Sequence, residues 1–93
     1  MKSITPAAAL PNFEAPLHAF GSNLRKARQA RGWTMAEAAE RIMVSLNTYK
    51  RMESGDPKVA FGSWAMAWQR IELLGAVLKA TAPENDKIEI GRA

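Results

Sequence analysis

Leu46, Asn47, Lys50 and Arg51 are the residues of this chain with the most distinctive chemistry. At helical spacing they fall on one side, while Tyr49, Met52 and Glu53 recur on the other. The first set offers an amide, an ammonium, a guanidinium and one apolar contact. These groups read base edges in a major groove: Arg or Lys pairs with guanine, Asn with adenine, and aliphatic carbon meets the thymine methyl. Thr48, beside them, is placed to meet backbone phosphate. The same pattern describes an ordinary amphipathic helix with a wet basic face, and this helix alone leaves the two readings even.

The elements that must hold these residues lie between Thr34 and Gly55, TMAEAAERIMVSLNTYKRMESG. Thr34 followed three residues later by Glu37 is a capping box, with Trp33 ahead of it as a staple. It opens a helix from Met35 to about Met43 whose buried face is Ala38, Ala39 and Ile42. Ser45 caps a second helix, Leu46 to Ser54, and Gly55 stops it. Two helices this short need a third beneath them. A helix from Ser22 to Arg31, ending at Gly32, supplies it, with Phe20, Leu24, Ala27 and Arg28 on one face. An arginine on an apolar face calls for a carboxylate, and Glu53 is the expected partner of Arg28.

After a turn at Gly55-Asp56-Pro57-Lys58, Phe61, Trp64, Ala65, Trp68 and Ile71 predict a helix from Phe61 to Leu73. Its aromatic stripe suits a core or a dimer interface better than a base-stacking platform, which needs interleaved positive charge. Leu73 to Ala80 continues with a break at Gly75. Leu74, Val77 and Leu78 leave an apolar edge that a second copy of the chain would cover. Lys87 to Ile90, KIEI, alternates charged and apolar residues and reads as a short strand. Ile88 and Ile90 would pair across a dimer, or the segment is a loose tail. The expected organisation is a flexible, proline-spaced arm over 1–19, a helical domain over 20–80 and a tail over 81–93.

Charge sharpens this reading. Between Ser22 and Lys58 eight basic residues face four acids, so this segment carries the whole net charge of +4. A basic central segment points to a polyanion, although charge alone favours the plainer reading of a solvated surface. The chain has no cysteine and one histidine, His18. No metal site, no cofactor and no catalytic nucleophile–base set is expected, so the chain reads as a non-enzyme. No apolar run reaches the length of a membrane span and no signal-peptide order is visible, so the expected compartment is a reducing cytoplasm.

From Phe20 to Leu73 the chain resembles the Xre/Cro family of helix-turn-helix DNA-binding domains. The carriers are Leu24, Arg28 and Gly32-Trp33-Thr34; Glu37-Ala38-Ala39 and Ile42; Val44-Ser45, Thr48-Tyr49 and Met52-Glu53-Ser54-Gly55. The resemblance implies an all-α, lambda-repressor-like bundle of four to five helices, and KIEI leaves a short C-terminal strand open beside it. It also implies a buried pair between Arg28 and Glu53. Two positions depart from the family: Met35 stands where glutamine is usual, and Met43 where glycine is frequent. A non-glycine residue at the second position needs slightly different backbone geometry or some strain.

Gly55-Asp56-Pro57, Phe61-Gly62, Leu73-Leu74 and Ala82-Pro83-Glu84-Asn85-Asp86 are also similar to HipB-type regulators. That similarity implies a bacterial antitoxin that dimerises, represses its own operon and binds a HipA-like kinase toxin. The expected mechanism is a homodimer on an inverted-repeat operator. Leu46, Asn47, Lys50 and Arg51 would meet base edges, and Thr34, Ser45, Thr48 and Ser54 phosphates. Trp68, Leu74, Val77, Leu78, Ile88 and Ile90 would form the dimer interface. The alternatives are a solitary Xre-type repressor, or an antitoxin acting mainly through protein contacts with weak DNA binding.

Overall fold

A computed structural model describes residues 14–85. Five helices follow in order: α1 Glu14–Ala30, α2 Met35–Arg41, α3 Leu46–Glu53, α4 Phe61–Arg70 and α5 Leu74–Ala80, then a 3-10 turn at Pro83–Asn85. The described residues contain helices and no strand. The expected strand over 87–90, with Ile88 and Ile90, lies outside them.

The core is small. Leu24 of α1, Ala38 and Ala39 of α2, Ile42 after it, Tyr49 and Met52 of α3, Ala67 of α4 and Ile71 after it are buried. Tyr49 and Met52 are fully enclosed, so α3 is gripped along its inner side. The alanines of α2 let α3 approach closely, and α1 packs against α3 as well.

The first helix begins at Glu14, not Ser22. Proline spacing had placed an arm there, but Pro16 falls in the first turn, where an amide N–H has no carbonyl to bond in any case. The extra turns are used. A Cβ on Gly55 would lie 2.9 Å from the Leu17 carbonyl carbon, so the earliest part of α1 rests on the turn that ends α3.

Helices α1 to α4 all stop in the same way. Each ends with a left-handed residue, Gly32, Met43, Gly55 and Glu72. At each, paired amides close back on the helix: Trp33 to Arg28, Val44 to Ala39, Asp56 to Arg51 and Leu73 to Trp68 carbonyls. This is the Schellman closure. It corrects the expected break at Gly75: the chain turns at Glu72, and Gly75 lies inside α5. Helix α4 accordingly ends at Arg70, short of the expected Leu73.

Met43 holds φ 61° and is 69% exposed. The left-handed region costs an ordinary residue about 1–2 kcal/mol, against about 0.5–1 kcal/mol of extra entropy for glycine. Met43→Gly is therefore expected to stabilise the fold by about 0.5–1 kcal/mol and raise the thermal midpoint by a few degrees. Circular dichroism melting checks this, and a lowered midpoint would contradict it.

Candidate nucleic-acid interface

Two caps orient the segment. The Thr34 N–H donates to Glu37 Oε1 at 2.9 Å, and the Glu37 N–H returns to Thr34 Oγ1 at 3.0 Å. The Thr34 backbone bond, with the hydroxyl behind it, holds the Glu37 carboxyl below its ordinary pKa. Ahead of this cap, two guanidinium groups lie over the Trp33 ring, Arg41 at 4.8 Å and Arg31 at 5.6 Å from its centre. These are cation–π distances. Trp33 also packs against the core.

At the start of α3, Ser45 Oγ accepts from the Thr48 N–H at 3.0 Å and its hydroxyl donates to Thr48 Oγ1 at 3.0 Å. The Ser54 hydroxyl donates to the Arg51 carbonyl at 2.8 Å. A phosphate oxygen only accepts, so a contacting hydroxyl must have a proton to give. Thr34 and Thr48 only accept through their hydroxyl oxygens and keep their own protons, whereas Ser45 and Ser54 direct theirs inward. Thr34, Ser45 and Ser54 are exposed and Thr48 is half-buried.

The outer side of α3 carries Leu46, which is 41% exposed, and Asn47 and Lys50, both exposed. Arg51 is less open than its place on the helix implied. Its Nε donates to Asp56 Oδ2 at 2.8 Å. In the sequence, Asp56 reads only as part of a turn. The available signal was Gly55: a helix stopping there brings residues 51 and 56 together.

Beneath this surface, Arg28 Nε donates to Glu53 Oε2 at 2.7 Å, Nη2 reaches Glu53 Oε1 at 3.3 Å, and Nη1 donates to the Trp33 carbonyl at 3.1 Å. One guanidinium thereby joins α1, the end of α3 and the residue before the α2 cap. The Glu53 contact raises the pKa of Arg28 further. Burial, and then the nearby Glu53, pushes the Tyr49 hydroxyl above the usual tyrosine range, so it stays neutral.

The residues expected at a dimer interface are spread. Trp68 is half-buried in an aromatic cluster, with Trp64 at 5.8 Å, Phe61 at 6.0 Å and Phe20 at 6.1 Å between ring centres. Phe61 and Phe20 are exposed. Leu74 and Val77 are half-buried, and Leu78 is exposed. Met35, the departure at the start of α2, packs against the core. Among the described residues, no group of three or more acidic or histidine side chains is placed to hold a metal, and no helix is long and apolar enough to cross a membrane.

The described residues form an all-helical, lambda-repressor-like bundle built around a helix-turn-helix, the class of fold that DNA-binding regulators use. Residues 24–61, from the buried Leu24 through α2 and α3 to the start of α4, match a helix-turn-helix family model. No curated protein and no solved structure matches the chain.

Proposed function

We propose that the chain is a homodimeric, sequence-specific transcriptional repressor with α3 as its recognition helix. The observation that carries this reading is the division of α3. Tyr49 and Met52 are fully buried, so the helix cannot roll, and Leu46, Asn47 and Lys50 face outward within the matched segment. Lys50, Arg51 and Asn47 read base edges, and Leu46 supplies an apolar contact. Thr34 and Thr48 keep a hydroxyl proton to give to phosphate; Ser45 and Ser54 complete the backbone contacts after rotation of their hydroxyls or through water. Two copies place their recognition helices in successive major grooves about 34 Å apart, so the operator is an inverted repeat.

Selection from a pool of randomised duplexes, followed by titration of the enriched duplex and a scrambled one at two salt concentrations, tests this. Enrichment of an inverted repeat that saturates at two chains per site supports it. Equal, salt-sensitive binding to both duplexes would leave only generic phosphate attraction. Arg51→Ala is expected to weaken the enriched duplex about tenfold and relax one position, with little effect on the scrambled duplex. Equal losses on both would remove Arg51 from base reading.

A second reading is favoured by the aromatic surface of Phe20, Phe61, Trp64 and Trp68. On it the chain is an antitoxin, similar to HipB-type regulators, that binds a HipA-like kinase toxin in the bacterial cytoplasm as well as its own operator. Co-purification of a kinase encoded beside it, lost on Phe61→Ala, supports that role. A neighbour that does not co-purify argues for a solitary repressor.

A further inference from the structure

We infer that Asp56 is a positioning residue for base recognition: it anchors Arg51 so that the far edge of the guanidinium is presented to one guanine. The inference rests on the recognition role proposed for α3 and adds a residue that lies outside that helix.

The anchoring follows from how α3 ends. Ser54 is the cap, Gly55 turns left-handed at φ 77°, and the Gly55 and Asp56 amides bond the Met52 and Arg51 carbonyls at 3.1 and 3.0 Å. A Schellman closure sets the second residue beyond the cap beside the third residue from the helix end. Here those residues are an aspartate and an arginine, and their side chains meet as well as their backbones.

The carboxylate is fixed at both oxygens. Oδ2 accepts from Arg51 Nε at 2.8 Å, and Oδ1 accepts from the Lys58 N–H at 2.8 Å. Proline at 57 restricts the Asp56 backbone in addition. A long, rotamer-rich side chain on the outer surface is thereby tethered at Nε. The bond takes one donor and leaves the Nη1 and Nη2 protons, whose fork spacing matches O6 and N7 of guanine. Arginine otherwise loses substantial rotamer freedom when it binds. A tether removes part of that loss before DNA arrives, and it disfavours other orientations in which the fork would meet phosphate. The Arg51 contact, with the Lys58 amide behind it, holds the Asp56 carboxyl below its ordinary range. The tether therefore persists from about pH 5 upward.

A simple helix clamp would show itself in stability alone. The positioning role shows itself in the identity of one base pair. The test selects duplexes from a randomised pool with the full chain, with Arg51→Ala and with Asp56→Asn. Asparagine can still accept from the Lys58 amide, but it loses the charge that holds Arg51. The position at which Arg51→Ala loses its guanine identifies the base pair that Arg51 reads. Asp56→Asn is expected to lose about tenfold preference at that position and no other, with scrambled-duplex affinity unchanged or raised because a negative charge is gone. The double variant should discriminate no worse than Arg51→Ala alone.

An Asp56→Asn variant that melts normally and keeps the guanine preference overturns the inference while leaving the recognition helix intact. So does a loss spread evenly over all positions. If the unaltered chain enriches no motif, the recognition reading itself fails, and the positioning role with it. Should Asp56→Asn melt early, Asp56→Glu supplies a second arm. Its longer carboxylate keeps the charge near Arg51, and equal loss of guanine preference in a well-folded Asp56→Glu and in Arg51→Ala would count against a charge tether.

Discussion

Glu53→Leu is expected to cost about 3–5 kcal/mol of folding stability. The Glu53 side chain is 6% exposed and that of Arg28 14%. Removing the carboxylate leaves a guanidinium enclosed without its counter-charge, and the desolvation already spent on that cation is no longer offset. The same arginine also holds the Trp33 carbonyl, so the loss reaches the entry to α2 as well as the α1–α3 contact. A domain of this size is stable by only about 5–15 kcal/mol. The variant should therefore unfold at much lower urea. Replacing both partners, Arg28→Met with Glu53→Leu, is expected to recover most of the loss, since an apolar pair of similar volume needs no desolvation. Urea unfolding of the two single variants and the double one completes the cycle. Additive losses in that cycle would mean that the pair is not coupled.

The second large effect comes from a residue with no side chain. A Cβ on Gly21 would lie 2.8 Å from the Met52 carbonyl oxygen and closer still to that of Glu53. Both neighbours are backbone and belong to the last turn of α3, so nothing flexible can move aside. Gly21→Ala is expected to destabilise by about 3 kcal/mol, the upper part of the range for overpacking. Within a helix that exchange ordinarily stabilises, by about 0.5–1 kcal/mol. Gly75 of α5 provides the contrast, because a Cβ there meets nothing within 4 Å. Gly75→Ala should raise the melting midpoint and Gly21→Ala should lower it. Equal gains in both would show that α1 and α3 do not approach as described.

Much of this architecture was legible because local chemistry and burial agree over Leu24 to Phe61. The capping box at Thr34, the cap at Ser45 and the stop at Gly55 are short-range signals that tertiary packing does not override. An arginine at helical spacing among apolar residues implied a partner, and Glu53 Oε2 lies 2.7 Å from it. The start of α1 was obscured because proline was read as a breaker without regard to its place in the first turn. The α4–α5 junction is misplaced in the sequence because a break is expected at the glycine, Gly75, whereas Glu72 turns the chain at φ 62° without one. The tether on Arg51 was missed for a related reason. A helix wheel describes residues within the helix, and Asp56 returns to it only through the closure beyond its end.

The close seating of Gly21 has a consequence for how such a chain can change over time. Where α1 touches the end of α3, the contact is backbone against backbone, and Gly55 repeats the arrangement against Leu17. The pose of the helix is thus set by main-chain shape and by the inward Tyr49 and Met52, not by Leu46, Asn47 or Lys50. Those three positions can be exchanged without disturbing the seat. A lineage carrying this scaffold could be recoded to new target sites by outward substitutions alone, and a library varied at those positions would sample readers rather than folds.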